Sequence, residues 1–225
     1  MAGRIAYYGN IVRDGLVLNL DAAKRDSYPG TGTVWRDIAG GVITGSLVNG
    51  PTFNTNNGGS ITFDGVDDYV ICTKSNITGN TPWSISIWIN VDISKNGAGR
   101  QGWMVWRGGQ STSQLIAIGV TSGYVEVAHY ANDTTFTNSP ISFGTFQNIT
   151  VTFNGTTELI YMNGTNTDNK STSLSLTDGD WYFSSRVGAS GFLKCNMSQF
   201  IVYNRALSAT EVLQNYNATK GRFGL

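Results

Sequence analysis

The chain has 225 residues, with 15 Lys+Arg against 15 Asp+Glu and a formal net charge of zero. At 13% charged residues it is too uncharged for a disordered acidic or basic tail, and the balance of sign argues against a polyanion-wrapping nucleic-acid binder. Every apolar run is broken within a few residues, so no membrane span is expected, and residues 1–15, with Arg4, Arg13 and Asp14, hold no apolar stretch of the kind a signal peptide needs.

Residues 1–13 carry two positive charges and no acid, and they read as an N-terminal arm. Arg4, Tyr7, Tyr8 and Arg13 are its docking candidates, because aromatic residues and arginine are enriched where partners meet. Leu16, Leu18 and Leu20 then alternate with Val17 and Asn19, which predicts a strand. Tyr28-Pro29-Gly30 predicts a turn. Short strands are expected near 43–48, 60–63 and 69–73. In 84–91, Ile85, Ile87, Ile89 and Val91 share one face, with Ser84, Ser86, Trp88 and Asn90 on the other. Residues 96–102 read as a loop. Strands follow at 103–106, 115–120 and 124–130, then at 148–153 and 158–162. Asn154-Gly155 and Asn163-Gly164 predict tight turns, the first closing a type I′ hairpin. Further strands are expected at 180–184 and 195–203. The one convincing helix starts at Ser208, where Ser208 and Glu211 have capping-box spacing.

Many short strands, 28 glycines against 4 prolines, and a single helix predict one all-β domain: a two-sheet antiparallel sandwich or jelly roll. Its expected span is 14–217, followed by a short basic tail at 218–225.

The chemistry-bearing residues are few. There is one histidine, His129, expected on a partly exposed strand position, so neither a catalytic triad nor a zinc site finds enough ligands. Glu126, Glu158 and Glu211 are the only glutamates, and they do not form the paired-carboxylate spacing of a glycosidase. No enzyme activity is expected. Asp64, Asp67 and Asp68 form the densest acidic cluster; they are the candidate calcium ligands, although Asp64-Gly65 is also a turn signal. No other cofactor is expected. Cys72 and Cys195 are either two buried thiols or a disulfide. The aromatic faces that could stack on a sugar are Trp88, Trp103, Trp106, Tyr124 and Tyr130, with Glu126 on the same strand face as Tyr124 and Tyr130.

Four segments in order carry a family resemblance: Gly15-Leu16-Val17-Leu18-Asn19-Leu20-Asp21-Ala22 with Trp35-Arg36-Asp37-Ile38; Ser60-Ile61-Thr62-Phe63-Asp64-Gly65-Val66-Asp67-Asp68-Tyr69-Val70; Trp83-Ser84-Ile85-Ser86-Ile87-Trp88-Ile89; and Ile201-Val202-Tyr203-Asn204-Arg205-Ala206-Leu207-Ser208. Together they resemble the laminin-G-like branch of the concanavalin A-like lectin/glucanase jelly rolls. The resemblance implies two antiparallel sheets, one concave, with the first and last strands adjacent and the strand of Cys72 near that of Cys195. The polar, nearly cysteine-free chain also looks like stand-alone proteins of this kind encoded beside tailed-phage structural genes. On that likeness the expected function is a virion structural protein, a capsid decoration or appendage protein, assembled in the host cytoplasm. It would dock on other virion subunits through its arm, as an oligomer or on a capsid lattice, with surface polysaccharide as a second ligand. The alternative is a carbohydrate-binding module of a cell-surface or secreted protein.

Overall fold

The computed structural model describes residues 10–40, 43–73 and 77–225. Its strands run in chain order β1 (Leu16–Asp21), β2 (Val34–Arg36), β3 (Thr44–Val48), β4 (Thr52–Asn54), β5 (Ser60–Phe63), β6 (Tyr69–Cys72), β7 (Trp83–Val91) and β8 (Arg100–Gly108). They continue with β9 (Leu115–Thr121), β10 (Tyr124–Ala128), β11 (Thr134–Pro140), β12 (Gln147–Phe153), β13 (Thr157–Met162), β14 (Thr165–Ser171), β15 (Trp181–Phe183) and β16 (Cys195–Tyr203). One helix, α1 (Ala209–Thr219), follows, then a 3-10 turn over Lys220–Phe223.

The strands form the two-sheet antiparallel sandwich that the sequence predicts, with eight strands in each sheet. The first has the order β14-β13-β12-β7-β16-β5-β4, with β1 also paired to β16; the second has the order β11-β10-β9-β8-β15-β6-β3-β2. The first and last strands are neighbours: Leu18 faces Val202 and Leu20 faces Phe200. Every strand pairing is antiparallel among the described residues, so each strand can alternate a core-facing and an outer residue.

The core lies between the sheets. Ile85, Ile87, Ile89 and Val91 of β7 meet Val105 of β8, Ile116 and Ile118 of β9, and Trp181 and Phe183 of β15, all fully buried. Trp181 and Phe183 both lean on Phe200, at centroid distances of 5.3 and 4.5 Å.

Helix α1 closes the outer face of the first sheet. Ser208 accepts from the Glu211 backbone N–H and Glu211 reaches back to the Ser208 N–H, which completes the capping box. Val212 packs with Tyr161, Ile201, Tyr203 and Leu207. The same cluster contains Val12, so the sandwich's contacts begin before residue 14. Val12 N–H donates to Asn215 Oδ1 at 2.8 Å, the Asn215 amide donates to Tyr203 Oη at 3.0 Å, and the Tyr203 hydroxyl donates to the Val12 carbonyl at 2.9 Å. This closed ring of bonds ties the arm's end to α1, so Ile11 and Val12 pack against the helix instead of lengthening β1. The basic tail is likewise part of the fold: Arg222 makes a two-pronged ion pair with Asp21, at 2.7 and 3.0 Å.

One of the two Asn-Gly turns departs from the expectation. Asn163 (φ 50°) and Gly164 (φ 80°) both adopt left-handed backbone, as a type I′ turn needs. At the first hairpin only Gly155 does; the Asn154 side chain instead accepts from the Thr156 and Thr157 N–H groups and builds a longer loop.

Candidate functional site

The second sheet's outer face carries an apolar cluster apart from the main core: Trp103, Trp106, Leu115, Ala117 and Ala128. Strict alternation along β8 would put Trp103 and Trp106 on opposite faces. A bulge between Trp103 and Val105 adds one residue, so Trp103 faces Gly119 and Trp106 faces Ala117 on the same side. The two indoles meet edge to face, with centroids 5.0 Å apart.

A cleft of about 150 Å³ opens beside them, lined by Arg100, Trp103, Trp106, Ala128, Tyr130, Ala131, Asp133 and Arg186. The Arg100 guanidinium lies 4.5 Å from the Trp103 ring centroid, and that of Arg186 lies 5.1 Å from the Trp106 centroid. Arg100 is held in place from behind. Its Nε donates to Glu126 Oε2 at 2.8 Å and its Nη2 donates to Glu126 Oε1, with Asp133 3.4 Å away. The Glu126 bond pushes the Arg100 pKa up, so the guanidinium stays charged. Glu126 also accepts from the Thr121 hydroxyl. Both of its oxygens are therefore engaged, and it serves as the support of Arg100.

Tyr130 and Ala131 take left-handed backbone in succession, φ 61° and 54°. For non-glycine residues that conformation costs roughly 1–2 kcal/mol each. The strained turn sets Tyr130, 41% exposed, at the cleft rim.

The structure thus brings together Trp103, Trp106 and Tyr130, with Glu126 joined to them through Arg100. Tyr124 lies on the same strand but outside the cleft lining. Tyr130 does not extend that strand, because β10 ends at Ala128. Trp88 is corrected outright as a sugar-stacking candidate. It sits on the other sheet, 2% exposed, with its Nε1 donating to Thr219 Oγ1 at 2.8 Å. Phe223 and Tyr216 stack on its ring at 4.1 and 5.7 Å, so no face is left for a sugar. Arg100, Asp133 and Arg186 were missed. Arg100 fell in a stretch read as loop but opens β8, and the signal available was an arginine three residues before one tryptophan and six before the next.

His129 is not partly exposed: it is fully buried just past β10. Its ring bridges the Leu115 carbonyl and Glu158 Oε1, each at 2.7 Å, linking the second sheet to β13 of the first. The third glutamate, Glu211, is paired with Arg205 at 2.6 Å. Each of the chain's glutamates therefore has a fixed partner.

One carboxylate oxygen each of Asp64, Asp67 and Asp68 lie within 4.8 Å of one another. Asp64 Oδ1 accepts from the Val66 N–H at 2.8 Å and Asp68 Oδ2 from the Asp64 N–H at 3.0 Å, so two of the three carboxylates shape the turn between β5 and β6. Burial, with the neighbouring negative charges adding, raises the Asp68 pKa. Cys72 and Cys195 are both free and buried, on strands of opposite sheets. Of the arm candidates, Arg4, Tyr7 and Tyr8 lie outside the described residues, and Arg13 is exposed. No helix among the described residues is long and apolar enough to cross a membrane.

Residues 64–213 match a laminin G family model described as the concanavalin A-like lectin/glucanases superfamily. No curated protein sequence matches the chain. Among solved structures, the binding domain of Paraclostridial mosquitocidal protein 1 is similar at a TM-score of 0.72 and 20% identity, over 92% of this chain and 52% of that one. The ligand-binding domain of botulinum neurotoxin serotype D, in complex with N-acetylneuraminic acid, is similar at a TM-score of 0.72 and 14% identity, over 91% of this chain and 51% of that one. The Trypanosoma rangeli sialidase, in complex with 2,3-difluorosialic acid, is similar at a TM-score of 0.70 and 13% identity, over 92% of this chain and 33% of that one. The chain spans about half the length of the two toxin chains and a third of the sialidase chain. At these identities the likeness shows the fold alone.

Proposed function

The chain belongs to the concanavalin A-like lectin/glucanases superfamily, and from that premise we propose that it is a non-catalytic glycan-binding domain. Its site is the cleft of Trp103, Trp106, Tyr130, Arg100 and Arg186 on the outer face of the second sheet. The observation that carries this reading is the pairing of aromatic rings with fixed guanidinium groups at one opening. A sugar presents apolar C–H faces and hydroxyl edges; the exposed Tyr130 ring meets the first and the charged donors the second, while Trp103 and Trp106, 3% and 4% exposed beneath the two guanidinium groups, form the floor. At about 150 Å³ the cleft is smaller than the roughly 300–1,000 Å³ of a drug-sized pocket, which suits one terminal sugar residue better than an enclosed chain. A catalytic role is disfavoured by the glutamates, each of which is held by Arg100, His129 or Arg205. The two toxin neighbours are binding domains, one of them with a bound sugar, which supports the same reading.

A glycan array with the wild-type chain and Tyr130→Ala tests it. Tyr130 is exposed, so its truncation leaves the core intact. The wild type should bind a subset of glycans and Tyr130→Ala should bind them about tenfold more weakly, the equivalent of about 1.4 kcal/mol. An array with no bound glycan would sink the proposal.

As the setting of such a domain we propose the surface of a tailed-phage particle. Its support is the likeness of the chain's motifs and composition to stand-alone virion proteins. Mass spectrometry of intact particles tests it, and a fixed copy number per particle is the expected result.

A further inference from the structure

We infer that the cleft selects saccharides bearing a carboxylate, and that Arg186 is the residue that reads the charge. The inference rests on the glycan-binding reading and narrows its ligand class.

The two cleft arginines are not equivalent. Arg100 is neutralised by Glu126 and by Asp133 beside it. Arg186 has no carboxylate within ion-pair distance among the described residues; its Nη2 donates to the neutral Gln110 Oε1. Gln110 therefore orients the guanidinium without cancelling its charge. A tight turn fixes the backbone as well: Arg186 N–H donates to the Ser190 carbonyl at 2.7 Å, and Ala189 N–H donates to the Arg186 carbonyl at 3.0 Å. Gly188 within that turn is pressed against the Tyr69 ring, which a Cβ would approach at 2.8 Å.

The acceptors of the cleft are engaged: Asp133 Oδ1 takes the His129 N–H and Oδ2 faces Arg100. The unfilled capacity of the cleft is thus the Arg186 guanidinium, which lies over the Trp106 ring. A ligand that satisfies it brings acceptor oxygens with negative charge. A planar carboxylate matches the guanidinium fork, with two parallel N–H···O bonds.

Calorimetric titration with two matched pairs tests the inference. The first pair is trigalacturonic acid and its methyl ester; the second is sialyllactose and its carboxamide. Within each pair the scaffold is shared, and the acidic member carries the carboxylate. The wild type should bind the acid of at least one pair about tenfold more tightly than its neutral counterpart, as expected of a hydrogen-bonded charge. Which acid binds identifies uronate or sialate as the source. Arg186→Gln should weaken binding of the acid far more than that of its neutral counterpart, so that the two affinities within a pair converge. The preference should also shrink as salt rises from about 0.05 to 0.5 M. Equal affinity within both pairs, or a preference that survives in Arg186→Gln, overturns the inference and leaves glycan binding standing. Binding of none of the four overturns the inference, and the glycan array alone then decides whether the glycan-binding reading stands.

Discussion

Gly119 lies against the indole of Trp103: a Cβ on Gly119 would come within 2.8 Å of the ring and 2.6 Å of the Gly102 carbonyl oxygen. The space for Trp103 on the outer face exists because its cross-strand partner has no side chain. Gly119 is absent from the left-handed residues, so a substitution there acts through crowding alone. Gly119→Ala should cost about 1–3 kcal/mol, as overpacking does. It should also push Trp103 off Trp106 and weaken glycan binding. Thermal melting and a glycan titration of this one variant check both effects; unchanged melting would show that the indole has room to spare.

Trp88 gives the opposite pattern. It is locked between β7 and the 3-10 turn by Phe223, Tyr216 and Thr219, on the sheet that does not carry the cleft. Trp88→Ala should cost roughly 3–5 kcal/mol of stability. Glycan affinity of the folded protein should stay at the wild-type value. A loss of affinity measured well below the variant's melting temperature would mean that the two faces are coupled.

Acid should loosen the helix end. Arg205, with Ser208 adding, holds the Glu211 carboxyl at about 2 against an ordinary value of 4.5. The folded value lies below the unfolded one, so the stabilisation is fully present above about pH 5 and drains away as pH falls towards 2. The side chains are 27% and 28% exposed, and solvent screening reduces the effect to about 1 kcal/mol. Gln at position 211 keeps the capping geometry and removes the charge. Melting curves of wild type and Glu211→Gln at neutral and acid pH should therefore converge as pH drops. Parallel curves would place the acid sensitivity elsewhere.

The thiols should be silent. Burial pushes both Cys72 and Cys195 up to about 12, so almost no thiolate exists at neutral pH. Without reductant, a thiol reagent should find neither in the native protein and both after denaturation. A single oxidised species in denaturant would mean a disulfide after all.

Much of this fold is legible in the sequence, and what is missing has a pattern. The core strands are visible because Ile85, Ile87, Ile89 and Val91 alternate. The four strands that periodicity does not reveal are β2, β4, β11 and β14, which stand at the ends of the two strand orders; β1, paired only to β16, is an edge strand that alternation does reveal. β14, Thr165–Ser171, has no apolar residue to alternate. End strands can be this polar because charged and polar side chains there also discourage edge-to-edge association. The cleft was half legible. Trp103, Trp106 and Tyr130 stood out as aromatics, but their convergence depends on a bulge and on left-handed backbone at Tyr130, neither of which has a period. Trp88 looked equally available, because the Thr219 and Phe223 that cover it are 131 and 135 positions away in sequence.

The central claim is that the outer face of the second sheet binds sugar. Proton–nitrogen correlation NMR of the six tryptophan indole N–H groups tests it most directly, with the signals assigned by single Trp→Phe variants. On titration with a saccharide that the array identifies, the Trp103 and Trp106 signals should shift progressively and that of Trp88 should stay in place. A shift confined to Trp88, or no shift in Trp103 and Trp106 at saturating sugar, would contradict the account.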